Sequence, residues 1–237
     1  MTATTTKTLG LLGGMSWEST LPYYRVINET VRERLGGLHS ARLLLYSVDF
    51  AEVERLQHAG DWDAAGALLG RAARSLRDGG AELLVICTNT MHKVADAVEA
   101  ASGLPLLHIA DPTGSAIRAA GLSKIGLLGT RFTMEQDFYR QRLIERHGLD
   151  VIVPDHDGRD LVHKVIYEEL CLGRIRDESR EGYRRIIAEL AARGAQGVIL
   201  GCTEIGLLIG PADVDVPLFD TTALHARAAA LASIGEG

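Results

Sequence analysis

The chain lacks the features that would mark a metalloprotein, a secreted protein, a membrane protein or a nucleic-acid binder. Its 237 residues hold only three cysteines, at 87, 171 and 202, too few for a disulfide framework in a chain that reads as intracellular. There is no C-x-x-C and no H-E-x-x-H, so the usual metal-ligand spacings are missing. No run of about 18 apolar residues occurs, which excludes a membrane-spanning helix. The leading MTATTTK has no apolar core of the signal-peptide kind. Cations do not outnumber anions: 25 Lys and Arg against 31 Asp and Glu give a formal charge of −6, with no basic footprint for nucleic acid. The expectation is a soluble cytoplasmic protein with reduced thiols and small-molecule partners. A hydrophobic content of 46% suffices for well-packed cores.

What the chain does contain is a duplication. The segment LGLLGGMSWESTLPYYRVINE at 9–29 aligns without gaps to IGLLGTRFTMEQDFYRQRLIE at 125–145, with Gly10/Gly126, Gly13/Gly129, Tyr23/Tyr139 and Glu29/Glu145 among the identities. A second pair, AELLVICTNT at 81–90 and AQGVILGCTE at 195–204, carries Cys87 and Cys202, each before a Thr. The offset is 116 residues in the first pair and 115 between the cysteines. Two matched segments at one offset predict two copies of one domain, each presenting a thiol at the end of a strand.

Strand-length apolar runs alternate with amphipathic stretches. Strands are expected at 8–12, 42–48, 83–87, 105–109, 124–128, 150–153, 197–201 and 217–219. Helices are expected at 17–35, 50–58, 61–78, 90–102, 112–120, 133–147, 158–171, 178–193 and 221–233. The stretch 61–78 ends at Gly79-Gly80, as a helix C-terminus should. This alternation predicts an α/β fold of two pseudo-symmetric domains, each a mostly parallel sheet flanked by helices. The first comprises 1–110 with 216–237 and the second 111–215, with the active site in the cleft between them. In such sheets, sites form at the carboxyl ends of the strands, where Cys87 and Cys202 both fall.

A free thiol has a pKa of about 8.5, which a helix N-terminus lowers. Thr88, Asn89 and Thr90 are good capping residues ahead of a helical HKVADAVEAA, so Cys87 is expected near the positive end of a helix. Another helix start is expected after Cys202-Thr203-Glu204. Threonine and asparagine groups there would hold a substrate carboxylate. With two similar bases, one thiolate removes an α-proton from one face and the other thiol returns a proton to the opposite face, inverting the stereocentre. A single cysteine at a strand end is most often a small buried hydrophobe; two of them in duplicated C-T contexts shift the balance to function.

At these residues the sequence resembles the aspartate/glutamate racemase superfamily. The stretches are Gly-Gly-Met at 13–15, C-T-N-T-M-H at 87–92 and G-C-T-E-I at 201–205. SVDF, HIAD, LLGTRFTMEQDFY and EELCLG are closest to bacterial broad-specificity amino-acid racemases. The resemblance implies a two-domain fold and a small-molecule amino-acid substrate, with neither pyridoxal phosphate nor any other cofactor or metal. It also implies catalysis by Cys87 and Cys202, and a homodimer. By the same resemblance, Thr88, Asn89 and Thr90 match carboxylate and amine holders, and Met15 and Thr130 match cleft positions on the two early loops. Thr203 follows the second cysteine. Lys164 lies where some relatives offer a cation to the substrate. Aspartate-specific members carry Pro-Asp-Arg after the second strand; this chain has SVDFAEVERLQ, leaving Arg55 or Arg131 as substitutes.

Several other residues read as structural. Cys171 sits on one side of a helical pattern, Asp111-Pro112 reads as a helix cap followed by its first residue, and Glu18 reads as a first-turn carboxylate. Glu204 and His92 are candidates to support the cleft. His163 and Lys164 are neighbours on a helix and cannot share a direction. Three readings remain open: an amino-acid racemase; a sister enzyme such as a maleate isomerase, arylmalonate decarboxylase or hydantoin racemase; and a non-catalytic amino-acid-binding protein on the same scaffold.

Overall fold

A computed structural model describes residues 6–236. The stretch 1–5, most of the leading segment discussed above, lies outside them. The chain divides into two units: residues 1–108 with 225–237, and residues 109–224.

The first unit opens with β1 (Leu9–Gly13), α1 (Trp17–Leu35) and β2 (Leu43–Ser47). It continues through α2 (Phe50–Ala59), α3 (Trp62–Asp78), β3 (Leu83–Ile86), α4 (Ala95–Ser102) and β4 (Leu106–Leu107). Its four strands are parallel in the order β2-β1-β3-β4. β1 and β3 are apolar nearly throughout because both faces of the sheet are covered. On one face Tyr23, Ile27 and Val31 of α1 pack with Ala226, Ala229 and Ala230. On the other, Leu68, Leu69, Ala72 and Leu76 of α3 pack with Val98 of α4. Asp49 caps α2 and Asp61 caps α3 by accepting backbone N–H bonds, as short acidic side chains do at N-termini.

The second unit repeats the plan. It contains α5 (Ala110–Ala119), β5 (Lys124–Gly129), α6 (Arg131–Glu135), α7 (Asp137–His147) and β6 (Asp150–Ile152). Then come α8 (His156–Glu168), α9 (Asp177–Ala192), β7 (Val198–Gly201) and β8 (Leu218–Asp220). The sheet is again parallel, in the order β6-β5-β7-β8. α5 and α7 cover one face through Ile117, Tyr139 and Leu143; α8 and α9 cover the other through Val162, Ile166, Tyr183 and Ile187. A last helix, α10 (Thr221–Ser233), starts in this unit and belongs to the first from His225 onward.

Several boundaries differ from the sequence reading, these among them. β8 pairs with β7, so 216–224 goes with the second unit rather than the first. The helix expected at 90–102 divides into a 3-10 turn, Thr90–Val94, and α4. That expected at 133–147 divides at Gln136, whose extended φ and ψ of −93° and 149° end α6 and begin α7.

Candidate active site

In each sheet the chain leaves the first strand for a neighbour on one side and later returns on the other. β1 lies between β2 and β3, and β5 between β6 and β7. This is the topological switch point, where a crevice opens beyond the carboxyl ends of the strands. Cys87 directly follows β3 and Cys202 directly follows β7. The duplicated thiols therefore occupy the same place in two copies of one topology.

In the first unit, the Cys87 backbone N–H donates to Leu12 O at 2.9 Å, tying the thiol turn to the end of β1. The neighbouring turn depends on Gly14. Its φ is +89°, a Cβ there would stand 2.3 Å from Val48 O, and its N–H donates to Thr20 Oγ1 at 2.9 Å. Only glycine adopts that conformation without cost. Met15, expected at the cleft, is buried in the core on the α3 side. Thr88 is half-buried, while Asn89 and Thr90 are buried. Arg55 is exposed on α2.

The capping expected after Cys87 is not formed. Asn89 is already helical, at φ −75° and ψ −50°, and makes no side-chain cap, since a cap requires extended backbone to aim its oxygen at the N–H groups ahead. Only a 3-10 turn follows Cys87 directly, and only Ile205–Leu207 is helical after Cys202. Short 3-10 turns sum few peptide dipoles. Burial therefore decides the thiols' acidity. It pushes Cys87 far up. Cys202 is raised well above its ordinary value by burial first and then by the Glu204 carboxylate. Burial thus acts on both thiols in the direction opposite to the lowering expected from a helix N-terminus.

In the second unit, Cys202 is 8% exposed, and its Sγ–H donates to Glu204 Oε2 at 2.9 Å. Thr203 Oγ1 donates to the same oxygen at 2.8 Å. Thr130 is buried and caps α6, accepting from the Thr133 N–H at 3.3 Å. Lys164 is exposed and lies 3.9 Å from Glu168, whereas the preceding His163 accepts from the Arg131 N–H at 3.2 Å. The two neighbours thus point apart, as their helical spacing requires. Arg131 is held by Asp160 at 2.6 Å. Cys171 is half-buried, outside any disulfide, and packs against the core on the α8 and α9 side. Asp111 does not cap α5, which starts one residue earlier; it accepts a bidentate pair from Arg142, at 2.7 Å to each oxygen. Among the described residues no cluster of three or more His, Cys, Asp or Glu could hold a metal ion. No helix among them is long and apolar enough to cross a membrane.

A feature that spacing did not reveal lies beside the Cys87 turn. His92, His108 and His225 gather in the first unit, the His92 ring centroid 4.6 Å from that of His108 and 5.6 Å from that of His225. His92 Nδ1–H donates to Thr88 O at 2.8 Å, bracing the residue after Cys87. Burial first, then repulsion from His108 and His225, holds His92 well below the usual histidine pKa, so its ring is neutral.

The Asp/Glu/Hydantoin racemase family profile matches residues 12–229. The chain belongs to this family. A candidate Asp/Glu racemase from Yersinia pestis is 62% identical with a TM-score of 0.89, over 96% of this chain and 99% of that one. An aspartate racemase homologue from Pyrococcus horikoshii OT3 is 36% identical with a TM-score of 0.81, over 96% and 99%. The broad specificity amino-acid racemase RacX of Bacillus subtilis (strain 168) is 22% identical over 224 residues, 92% of this chain and 95% of that protein. Membership in the racemase family makes the chain an isomerase, and its two-sheet architecture is the fold shared with glutamate racemase from Francisella tularensis, at a TM-score of 0.62.

Proposed function

We propose that the chain is a cofactor-independent amino-acid racemase in which Cys87 and Cys202 act as the two bases. The observation that carries this reading is their equivalence, each thiol directly following the strand that pairs with the first strand of its own sheet. A two-base inversion needs groups of similar strength, because the reverse reaction swaps their roles.

Burial raises both thiol pKa values, which favours the protonated form before substrate arrives. A bound amino acid brings an ammonium group, and an opposite charge within a few ångströms favours the thiolate, whose proton leaves the thiol before the α-proton is taken and passes to solvent. One thiolate then takes the α-proton, and the electron pair delocalises into the substrate carboxylate. The other thiol delivers its proton to the opposite face. Thr88, Asn89, Thr90 and Thr203 flank the sulfurs in sequence and are the candidates to hold the substrate's carboxylate and amine; Met15, Arg55, Thr130 and Lys164 complete the proposed substrate contacts.

The side chain accepted is proposed to be broad. Arg131 is held by Asp160, Lys164 lies beside Glu168 and Arg55 is exposed on α2, so no cation among the three stands out as a dedicated grip for a side-chain carboxylate. The working assembly is proposed to be a homodimer in the cytoplasm.

The test is incubation of L- and D-amino acids in deuterated water without added cofactor or metal, reading α-deuterium and enantiomer together. Racemisation with α-deuterium incorporation is expected. Activity only with pyridoxal phosphate or an added metal would overturn the reading. A preference for aspartate over homoserine, serine and methionine of about four orders of magnitude, the discrimination a dedicated polar contact supplies, would overturn the broad specificity.

A further inference from the structure

The two thiol turns are copies with one difference that bears on chemistry. Cys87-Thr88 is followed by Asn89, whereas Cys202-Thr203 is followed by Glu204. An amide oxygen can only accept a hydrogen bond, whereas a carboxylate can accept the proton itself. The structure uses the difference. Among the described residues, the acceptor that Cys87 Sγ reaches is the Val85 carbonyl, at 3.9 Å. Cys202 Sγ–H reaches Glu204 Oε2 at 2.9 Å.

From this geometry we infer that Glu204 is a positioning residue that shares one proton with Cys202, so that the second base of the enzyme works as a thiol–carboxylate pair and the first as a lone thiol. Glu204 is 2% exposed. A buried carboxylate is costly unless hydrogen-bonded, and this one takes bonds from both Cys202 and Thr203 on the same oxygen. Besides Glu204, Cys171 acts on the sulfur; Tyr183, which donates to Val162 O at 3.1 Å, is influenced by Cys202, Glu169, Cys171 and Glu204. Moving the proton breaks S–H, forms O–H at Oε2 and shifts the negative charge from oxygen to sulfur. The resulting thiolate removes an α-proton, forming S–H again, while the carboxyl stays protonated; after Cys87 has delivered its own proton to the opposite face, Glu204 releases its proton to solvent and the Cys87 thiolate takes one up, which restores the starting state. The thiolate is thus reached without releasing a proton to solvent, a route Cys87 lacks.

The consequence for turnover rests on the racemase reading; the shared proton does not. The experiment is therefore alkylation of the substrate-free protein by iodoacetamide across pH, followed at each cysteine by mass spectrometry, in the wild type, Glu204→Gln and Glu204→Asp. Two coupled groups titrate as a pair, so the Cys202 rate in the wild type should rise, level off while the pair holds one proton, and rise again at high pH. In Glu204→Gln the plateau should vanish, leaving a single limb that rises about tenfold per pH unit below the thiol pKa. Glu204→Asp should restore the plateau, and the Cys87 profile should be unchanged throughout. Racemisation kcat/KM in Glu204→Gln should fall about 100-fold, the lower range for losing acid–base assistance, with partial rescue in Glu204→Asp. A single limb in the wild type, or a plateau that survives in Glu204→Gln, would overturn the inference. A plateau in a protein that racemises nothing would leave the pair standing and remove the racemase reading instead.

Discussion

Tyr23 and His225 are joined by a 2.8 Å hydrogen bond between the phenol oxygen and Nδ1, across 202 positions of sequence. Nε2 of the same ring lies 2.9 Å from Leu107 O. A carbonyl only accepts, so Nε2 carries the proton, and in the neutral ring Nδ1 accepts from the tyrosine. One imidazole thereby fastens α10 to both α1 and the end of β4. Tyr23→Phe keeps the ring but leaves a buried acceptor unpaired, which costs about 1–3 kcal/mol. Urea unfolding of the variant should show a loss in that range; no change would mean that the bond does not hold the last helix.

Replacing either duplicated thiol should remove racemisation while preserving the fold. Cys87→Ser and Cys202→Ser should each lower kcat/KM at least about 100-fold, since each loses the base for one enantiomer and the acid for the other. Cys171→Ser should retain most of its activity. Enantiomer-resolved rates with matched circular dichroism spectra decide this; full activity in either of the first two variants would exclude the two-base mechanism.

Stability should fall on the alkaline side because of the same two thiols. Both pKa values are raised in the folded chain. Above about 8.5, the unfolded value, the unfolded chain has therefore lost protons that the folded chain retains, and stability declines as pH rises. Each thiol contributes up to about 1.4 kcal/mol per pH unit. The buried Tyr139 and Tyr183 are raised too, but unfolded tyrosine ionises only near about 10, so the window from about 8.5 to 10 reports the thiols. Urea midpoints measured there should drop in the wild type and drop less in Cys87→Ser.

An acid limb should come from His92. Its folded pKa lies well below the ordinary value, so below about 6.5 the unfolded chain gains a proton that the folded chain does not, and stability is lost as pH falls. His92→Gln should flatten the change in urea midpoint between about pH 6.5 and 5 relative to the wild type. An equally steep limb in that variant would assign the effect elsewhere.

The sequence by itself determined the eight strands, the two copies and the two thiols. Strands such as β1 and β3 read as unbroken apolar runs because parallel sheets are covered on both faces, and helix ends at Gly60, Gly79, Gly103 and Gly148 are marked by a residue type suited to the turn. What the tertiary structure alone decided concerns neighbours distant in the chain or directions of side chains. β8 joins the second sheet through pairing with β7, which no local pattern encodes. His92, His108 and His225 converge only when β4 and α10 are in place. Glu204 was visible two residues after Cys202, but its approach to the sulfur depends on the turn that follows β7. The acidity of the thiols likewise depends on packing. A helix-dipole argument uses sequence neighbours, whereas desolvation depends on everything packed around the sulfur, and burial of both thiols outweighed the small dipoles of the short 3-10 turns.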